Sequence, residues 1–334
     1  MGNSLLPHLS YFATGGTIAS VHDGNGGVTP QMNAEELIQA IPQLATIAQV
    51  SFVQFSQKPS VELMWTDALH LVDLARRCID EGSSGIILTQ GTDTIEEFSF
   101  LLDLLWDRPE PFIVTGAMRH PSSLGADGPA NLYGAALVAV DSKARGQGVL
   151  VVANDEIHRA RYVHKSHTML TSTFVSSNWG KVGLIAEGRV HLHKPYERYL
   201  LSDLHWKQDC AQVALIQISL DEPLSYLADL PSYGYRGVVV AGVGSGHTTS
   251  RQAEALKALA SQIPVVIASR TGEGPILEQT YGYPGSEKDL LPAGIISAGI
   301  LPPLKARLLL MALLSSDLKS DDIAERFTSY AWQI

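Results

Sequence analysis

Thr14 and Thr17 flank a Gly15-Gly16 pair in FATGGTIAS, residues 12–20. A threonine hydroxyl attacks a carbonyl carbon once a base takes its proton. Two adjacent glycines let the chain turn tightly enough to hold one up. A second hydroxyl follows in TQGTDT, residues 89–94, where Thr92 and Asp93 stand behind Gly91. A hydroxyl, a carboxylate and a lysine form one relay, in which the lysine, once neutral, accepts a proton and the carboxylate orients it. The lysine candidate is Lys165 in NDEIHRARYVHKSH, residues 154–167. Each piece also has a plainer reading. Thr92 and Asp93 would cap a helix, with Asp93 followed by Glu96 and Glu97 in the manner of a capping box. Lys165, by composition, is an ordinary surface lysine.

Chemistry of this kind needs a scaffold. GIILTQ (85–90), PFIVTG (111–116) and GVLVVAN (148–154) read as buried strands, and amphipathic stretches at 66–80, 94–106 and 129–142 read as helices. That alternation predicts a parallel sheet covered by helices on both faces. It fades over the polar stretch 187–212 and resumes with AQVALIQISL (211–220), GVVVAGVG (237–244) and PVVIAS (264–269), with helices at 249–261 and 303–315. The expected architecture is two open α/β domains, a larger one over 1–190 and a smaller one over 212–334, joined by a linker at 191–211. In open parallel sheets, functional groups gather where strands end. ATGGT, TQGTDT, TGAMR and ANDE all fall at such ends, and four loops leaving neighbouring strands at one edge would face a single cleft.

Composition narrows the function. The 334 residues are 45% apolar and 17% charged with a net charge of −10. Phosphate contacts need clustered Lys and Arg, so a nucleic-acid partner is not expected. No apolar run approaches the roughly 18 residues of a membrane span, and no membrane partner is expected. MGNSLLPHLS lacks a cationic segment followed by an apolar one, so a cytoplasmic location is expected, or a periplasmic or secreted one if a leader was trimmed. Cys78 and Cys210 lie far apart and suggest neither disulfide framework nor metal site. His158, His164, His167, His191 and His193 lack zinc spacing. GVGSG (242–246) runs into His247 rather than completing a dinucleotide loop, and no G-x-S-x-G elbow occurs.

ATGGTIAS, TQGTDTIEE, VTGAMRHPSSLGADGPANLYGA and NDEIHRARYVHK, in this order and spacing, resemble the bacterial L-asparaginase and glutaminase-asparaginase family. The resemblance continues through IPQL (41–44), AGVGSGH (241–247) and GILPPLKARLLLMALL (299–314), and so covers nearly the whole chain. It implies an asparaginase-type amidohydrolase that converts L-asparagine, and L-glutamine in some members, to the acid and ammonia through an acyl-threonine intermediate. No cofactor or metal is implied. Carried over, Thr17 matches the nucleophile, and Thr92, Asp93 and Lys165 match the relay. Ser60 in KPSVEL matches the serine that binds the substrate's α-carboxylate, and Asp93 the group that pairs with its α-ammonium. Gly16, Gly91 and Thr92 would line the substrate, and the N–H of Ala117, with one near Thr92, would face the oxyanion. Thr14 is read as structural.

The resemblance also implies a homotetramer, a pair of tight dimers, with each site at a subunit junction. His247 stands where the family often carries an asparagine that reaches the neighbouring subunit's site; its other reading is a solvated turn histidine. The acidic residue given to that neighbour is expected within 272–288, as Glu278 or Glu287. One further departure concerns the loop VHDGNGGVTPQ (21–31). The family carries a tyrosine there, and the matching position falls on Gly27 or Val28. Gly24, Gly26 and Gly27 still give the loop the freedom of a lid. Two rival functions follow: an amidase for a D-isomer or a substituted asparagine, or an amino-acid-binding protein without turnover. The preference between asparagine and glutamine is not legible.

Overall fold

The computed structural model describes residues 6–333 apart from 23, 25 and 194–197. Residues 1–5 of the stretch read for a leader, two positions of the loop expected as a lid and part of the expected linker therefore lie outside the described residues. The chain divides into two compact units, residues 1–200 and 201–334.

The first unit is built on an eight-stranded sheet. In spatial order its strands are Arg189–Leu192, Gly183–Ala186, Glu156–Arg159, Val149–Ala153, Phe112–Thr115, Gly85–Thr89, His8–Ala13 and Gln49–Gln54. The five strands from Val149–Ala153 to Gln49–Gln54 run parallel. The other three join antiparallel, which makes the sheet mixed rather than parallel throughout. Helix Ile95–Leu105 links Gly85–Thr89 to Phe112–Thr115, and helix Gly128–Val140 links the latter to Val149–Ala153.

Central parallel strands are buried on both faces and so read as continuous apolar runs. GIILT and VLVVA are buried at every residue. Alternate side chains divide the core. Leu9, Tyr11, Ala13, Ile87, Ile113, Leu150 and Val152 join one cluster with Leu132, Ala135, Ala136 and Ala139 of helix Gly128–Val140. Phe12, Ile86, Leu88, Phe112, Val114 and Val151 are buried too, and Phe112 meets Trp106 edge to face at 5.2 Å. Helix Trp65–Asp80 buries Trp65, Ala68, Leu69 and Val72, the spacing of one helical stripe.

The strand order carries a functional consequence. From His8–Ala13 the chain moves outward to Gln49–Gln54, then returns to the other side to lay down Gly85–Thr89 and the strands beyond it. The order reverses between His8–Ala13 and Gly85–Thr89, and such a switch point leaves a crevice at the carboxyl ends of the strands. ATGGT and TQGTDT are the two loops that leave there.

The second unit carries a four-stranded parallel sheet in the order Val213–Gln217, Gly237–Gly242, Val265–Ser269 and Ile296–Ser297. Helix Ser250–Ala260 starts with a capping box between Thr249 and Gln252. Helix Pro303–Leu314 is buried along nearly its whole length. Among the described residues no helix is long and apolar enough to cross a membrane.

Candidate active site

The turn after His8–Ala13 is anchored by Thr14. Its hydroxyl and its N–H both donate to Thr89 O at 3.0 Å, so this buried threonine ties two strand ends together. Gly15 and Gly16 follow at φ +106° and +83°, angles that an L side chain rarely adopts. A Cβ on Gly16 would lie within 3.0 Å of Gly91 N, Gly91 Cα and Gln90 C. Only bare backbone lets the two loops touch here. Thr17 then opens a short helical turn, Thr17–Ala19, with Ile18 and Ala19 buried and Thr17 partly exposed. Ser20 braces the turn by donating its hydroxyl to Gly16 O at 3.0 Å. Among the described residues the Thr17 hydroxyl has no hydrogen-bond partner.

Across that contact, Thr92 and Asp93 follow Gly91 and face Lys165. The Lys165 ammonium donates to Thr92 Oγ1 at 3.0 Å and to Asp93 Oδ1 at 2.6 Å. The lysine is sheltered, with 14% of its side chain exposed, whereas 70% of the Asp93 side chain is open. The capping reading of this stretch does not hold. Thr94 is the N-cap of helix Ile95–Leu105 and makes no side-chain cap bond; its hydroxyl donates instead to Ser60 O at 3.0 Å. Glu96 accepts the Lys165 backbone N–H at 2.5 Å on Oε2. Both carboxylates that local spacing assigned to a cap are held by one distant lysine. A cleft of about 280 Å³ opens beside Asp93 and Lys165, bordered by Ser166, His167 and Thr168.

Ser60 is buried and begins the turn Ser60–Glu62. A Cβ on Gly91 would stand 2.9 Å from Ser60 Oγ, so Ser60, Gly91 and Gly16 are packed in a row. Ala117 lies two residues past the strand Phe112–Thr115 and is buried. The residues on each side of it are tied down. Gly116 O accepts from Asn131 Nδ2 at 2.9 Å, and Met118 N donates to Asp127 Oδ2 at 3.0 Å. Asn131 also accepts the Asn154 N–H at 2.9 Å, so one buried amide fastens the loops after two strands. Sequence reasoning does not reach Asn131 or Glu96 as site residues. Asn131 falls inside the quoted GADGPANLYGA stretch, but nothing in its spacing names its partners.

The second unit places His247 in a compact polar cluster of its own. Its Nε2 lies 3.2 Å from Glu287 Oε2 and its Nδ1 2.8 Å from the Tyr283 hydroxyl. Tyr281 packs edge to face on the imidazole at 4.9 Å. Glu287 also accepts the Thr280 and Tyr281 N–H groups at 2.8 and 2.5 Å. Burial pushes its carboxyl up, but the Tyr281 and Thr280 N–H donors and His247 outweigh that and leave it below its ordinary value. Glu278, the other acidic candidate, is exposed. His247 is thus a bonded residue rather than a solvated turn histidine. In the first unit, the stretch expected as a lid forms a hairpin, Ser20–His22 against Val28–Pro30, and Val28 is exposed.

Comparison with known proteins agrees along the chain. Residues 8–198 match the family model described as asparaginase, N-terminal. Residues 212–327 match the glutaminase/asparaginase C-terminal domain. L-asparaginase 2 of Bacillus subtilis is 35% identical over 340 residues, covering 97% of this chain and 87% of the relative. A probable periplasmic L-asparaginase of Haemophilus influenzae is 32% identical over 338 residues, covering 97% and 93%. Among solved structures, a probable cytoplasmic L-asparaginase from Campylobacter jejuni superposes with a TM-score of 0.86 at 30% identity, over 98% of this chain and all of that one.

Proposed function

This chain belongs to the asparaginase family, and we propose that it hydrolyses the side-chain amide of L-asparagine to L-aspartate and ammonia. The observation that carries the proposal is the Lys165 ammonium bonded to both Thr92 Oγ1 and Asp93 Oδ1, across the Gly16–Gly91 contact from the turn that presents Thr17. Thr17 Oγ attacks the amide carbon and gives up its proton. The leaving nitrogen takes a proton, the C–N bond breaks and ammonia departs, leaving an ester on Thr17. Water, activated by Thr92, Asp93 and Lys165, attacks that ester, and the aspartate leaves as Thr17 regains its hydroxyl. The Ala117 N–H, between neighbours held by Asn131 and Asp127, stabilises the oxyanion. Ser60 and Asp93 take the α-carboxylate and α-ammonium.

The same reading makes the protein a homotetramer whose sites close at subunit junctions, with His247 and an acidic residue of its unit supplied across the junction. Light scattering tests the mass. The compartment follows from the mature N-terminus, which mass spectrometry of the native protein reads directly; the relatives above bear both periplasmic and cytoplasmic names. A second reading rests on Gly27 and Val28, which offer no phenol where the family has one. It keeps the pocket and assigns it to another amide or to binding without turnover.

Ammonia release from L-asparagine and L-glutamine, wild type beside Thr17→Ala, separates these readings. The proposal expects release that falls at least about 10³-fold in the variant. An ordinary rate for Thr17→Ala refutes the nucleophile. A folded wild type that binds asparagine and releases no ammonia supports the second reading.

A further inference from the structure

We infer that Glu96 is a positioning residue for Lys165; the inference rests on the proposed role of Lys165 in the relay. The lysine belongs to a two-residue strand, His164–Lys165, paired antiparallel with Phe174–Val175. This excursion is stitched mainly to itself: Ser166 N–H and Oγ both donate to Thr173 O at 2.8 Å, and His167 N–H donates to Thr173 Oγ1 at 2.9 Å. A short hairpin held by local bonds does not by itself fix a side chain to within the tolerance that proton transfer needs.

Ser176 beside the hairpin meets His158 of the sheet at 3.0 Å, but the bond that reaches the Lys165 main chain from helix Ile95–Leu105 comes from Glu96, whose Oε2 accepts its N–H at 2.5 Å. Glu96 lies in the first turn of Ile95–Leu105, directly after the two groups that hold the lysine's other end. One stretch, residues 92–96, therefore grips Lys165 at both extremities: Thr92 and Asp93 at the ammonium, Glu96 at the backbone. With the main chain pinned, the four-carbon stem has to lie across the gap in one arrangement. Without the pin, the hairpin can ride away from the helix and the ammonium must choose between its partners. A carboxylate acceptor makes the bond a strong one.

The test is a kinetic panel of Glu96→Ala, Glu96→Gln and Lys165→Met on asparagine hydrolysis, with an unfolding midpoint for each. Glutamine keeps an acceptor oxygen and drops the charge. A displacement near 1 Å costs about 10²-fold in rate, so Glu96→Ala should lower kcat by roughly 10- to 100-fold while KM stays within about threefold. Glu96→Gln should recover to within about fivefold of wild type. Wild-type kcat in the alanine variant overturns the inference. So does a glutamine variant as impaired as alanine, because charge and not the bond would then be at work. A kcat loss that only follows a lower folded fraction overturns it as well. Lys165→Met should lose most turnover; full activity there removes the relay reading itself, and the positioning role with it.

Discussion

The contact between Gly16 and Gly91 admits a sharp test, the substitution Gly16→Ala. The new Cβ would stand within 3.0 Å of Gly91 N and Cα and 2.8 Å from Gln90 C. All three are backbone atoms, so no side chain can rotate out of the way. The two loops must part by roughly 1 Å before ordinary van der Waals separation is restored. Alanine at φ +83° and ψ −175°, a combination that is essentially glycine's alone, adds about 1–3 kcal/mol of local strain, and overpacking adds about 1–3 kcal/mol. The next residue is Thr17, so the displacement falls on the proposed nucleophile, and a shift of this size costs about 10²-fold in kcat. The control is Gly146→Ala, at φ +75° with nothing within 4 Å of the added Cβ. It bears the strain alone and should turn over at the wild-type rate. The assay is kcat and KM for ammonia release with a urea midpoint for each variant. A Gly16→Ala enzyme within about threefold of wild-type kcat, or a Gly146→Ala enzyme equally impaired, would refute the reasoning.

Two further outcomes follow from buried polar groups. Asn131→Ala strands the buried Gly116 O and releases the N–H of exposed Asn154 to water, and should cost roughly 1–3 kcal/mol in urea unfolding; a loss under about 0.5 kcal/mol would mean that water replaces both bonds. Burial pushes the His158 imidazole down to about 4, only partly opposed by Glu156. The folded state thus resists a proton that the unfolded chain accepts near pH 6.5, so stability falls as pH drops from about 6.5 to 4 and levels off below. The imidazole contributes about 3 kcal/mol to that fall, and His158→Gln should flatten this part of the profile; an unchanged pH slope in the variant would show that other groups account for it.

What the sequence disclosed follows from the physics of each element. GIILT and VLVVA are legible because a strand buried on both faces tolerates little but apolar residues. The antiparallel strands EIHR and RVHL mix charge with apolar residues, and RVHL, at 189–192, runs into the stretch expected as a linker. The four loops do leave one sheet edge, as expected, because their strands are adjacent and parallel. Local spacing fails at Asp93 and Glu96, whose i, i+3 pattern fits a cap. Their actual partner is Lys165, 72 and 69 residues away. Propensity rules weigh near neighbours only, so a distant lysine that takes one would-be cap with its ammonium and the other with its backbone N–H leaves no trace in them. His247 is half legible: its turn shows in the sequence, but Tyr281, Tyr283 and Glu287 around it depend on how the later loop folds back.

The ion pair of the proposed relay is lopsided, with Lys165 sheltered and Asp93 facing water. A carboxylate in solvent feels its partner through a high dielectric, and the field between the two is correspondingly weak. Any molecule that settles on Asp93 displaces that water and deepens the field before it makes one specific contact. The machinery is then partly assembled by its own occupant. Fit over Asp93 governs how strongly the relay can act as well as how long a molecule stays, so a ligand too small to cover the carboxylate would be held yet poorly processed.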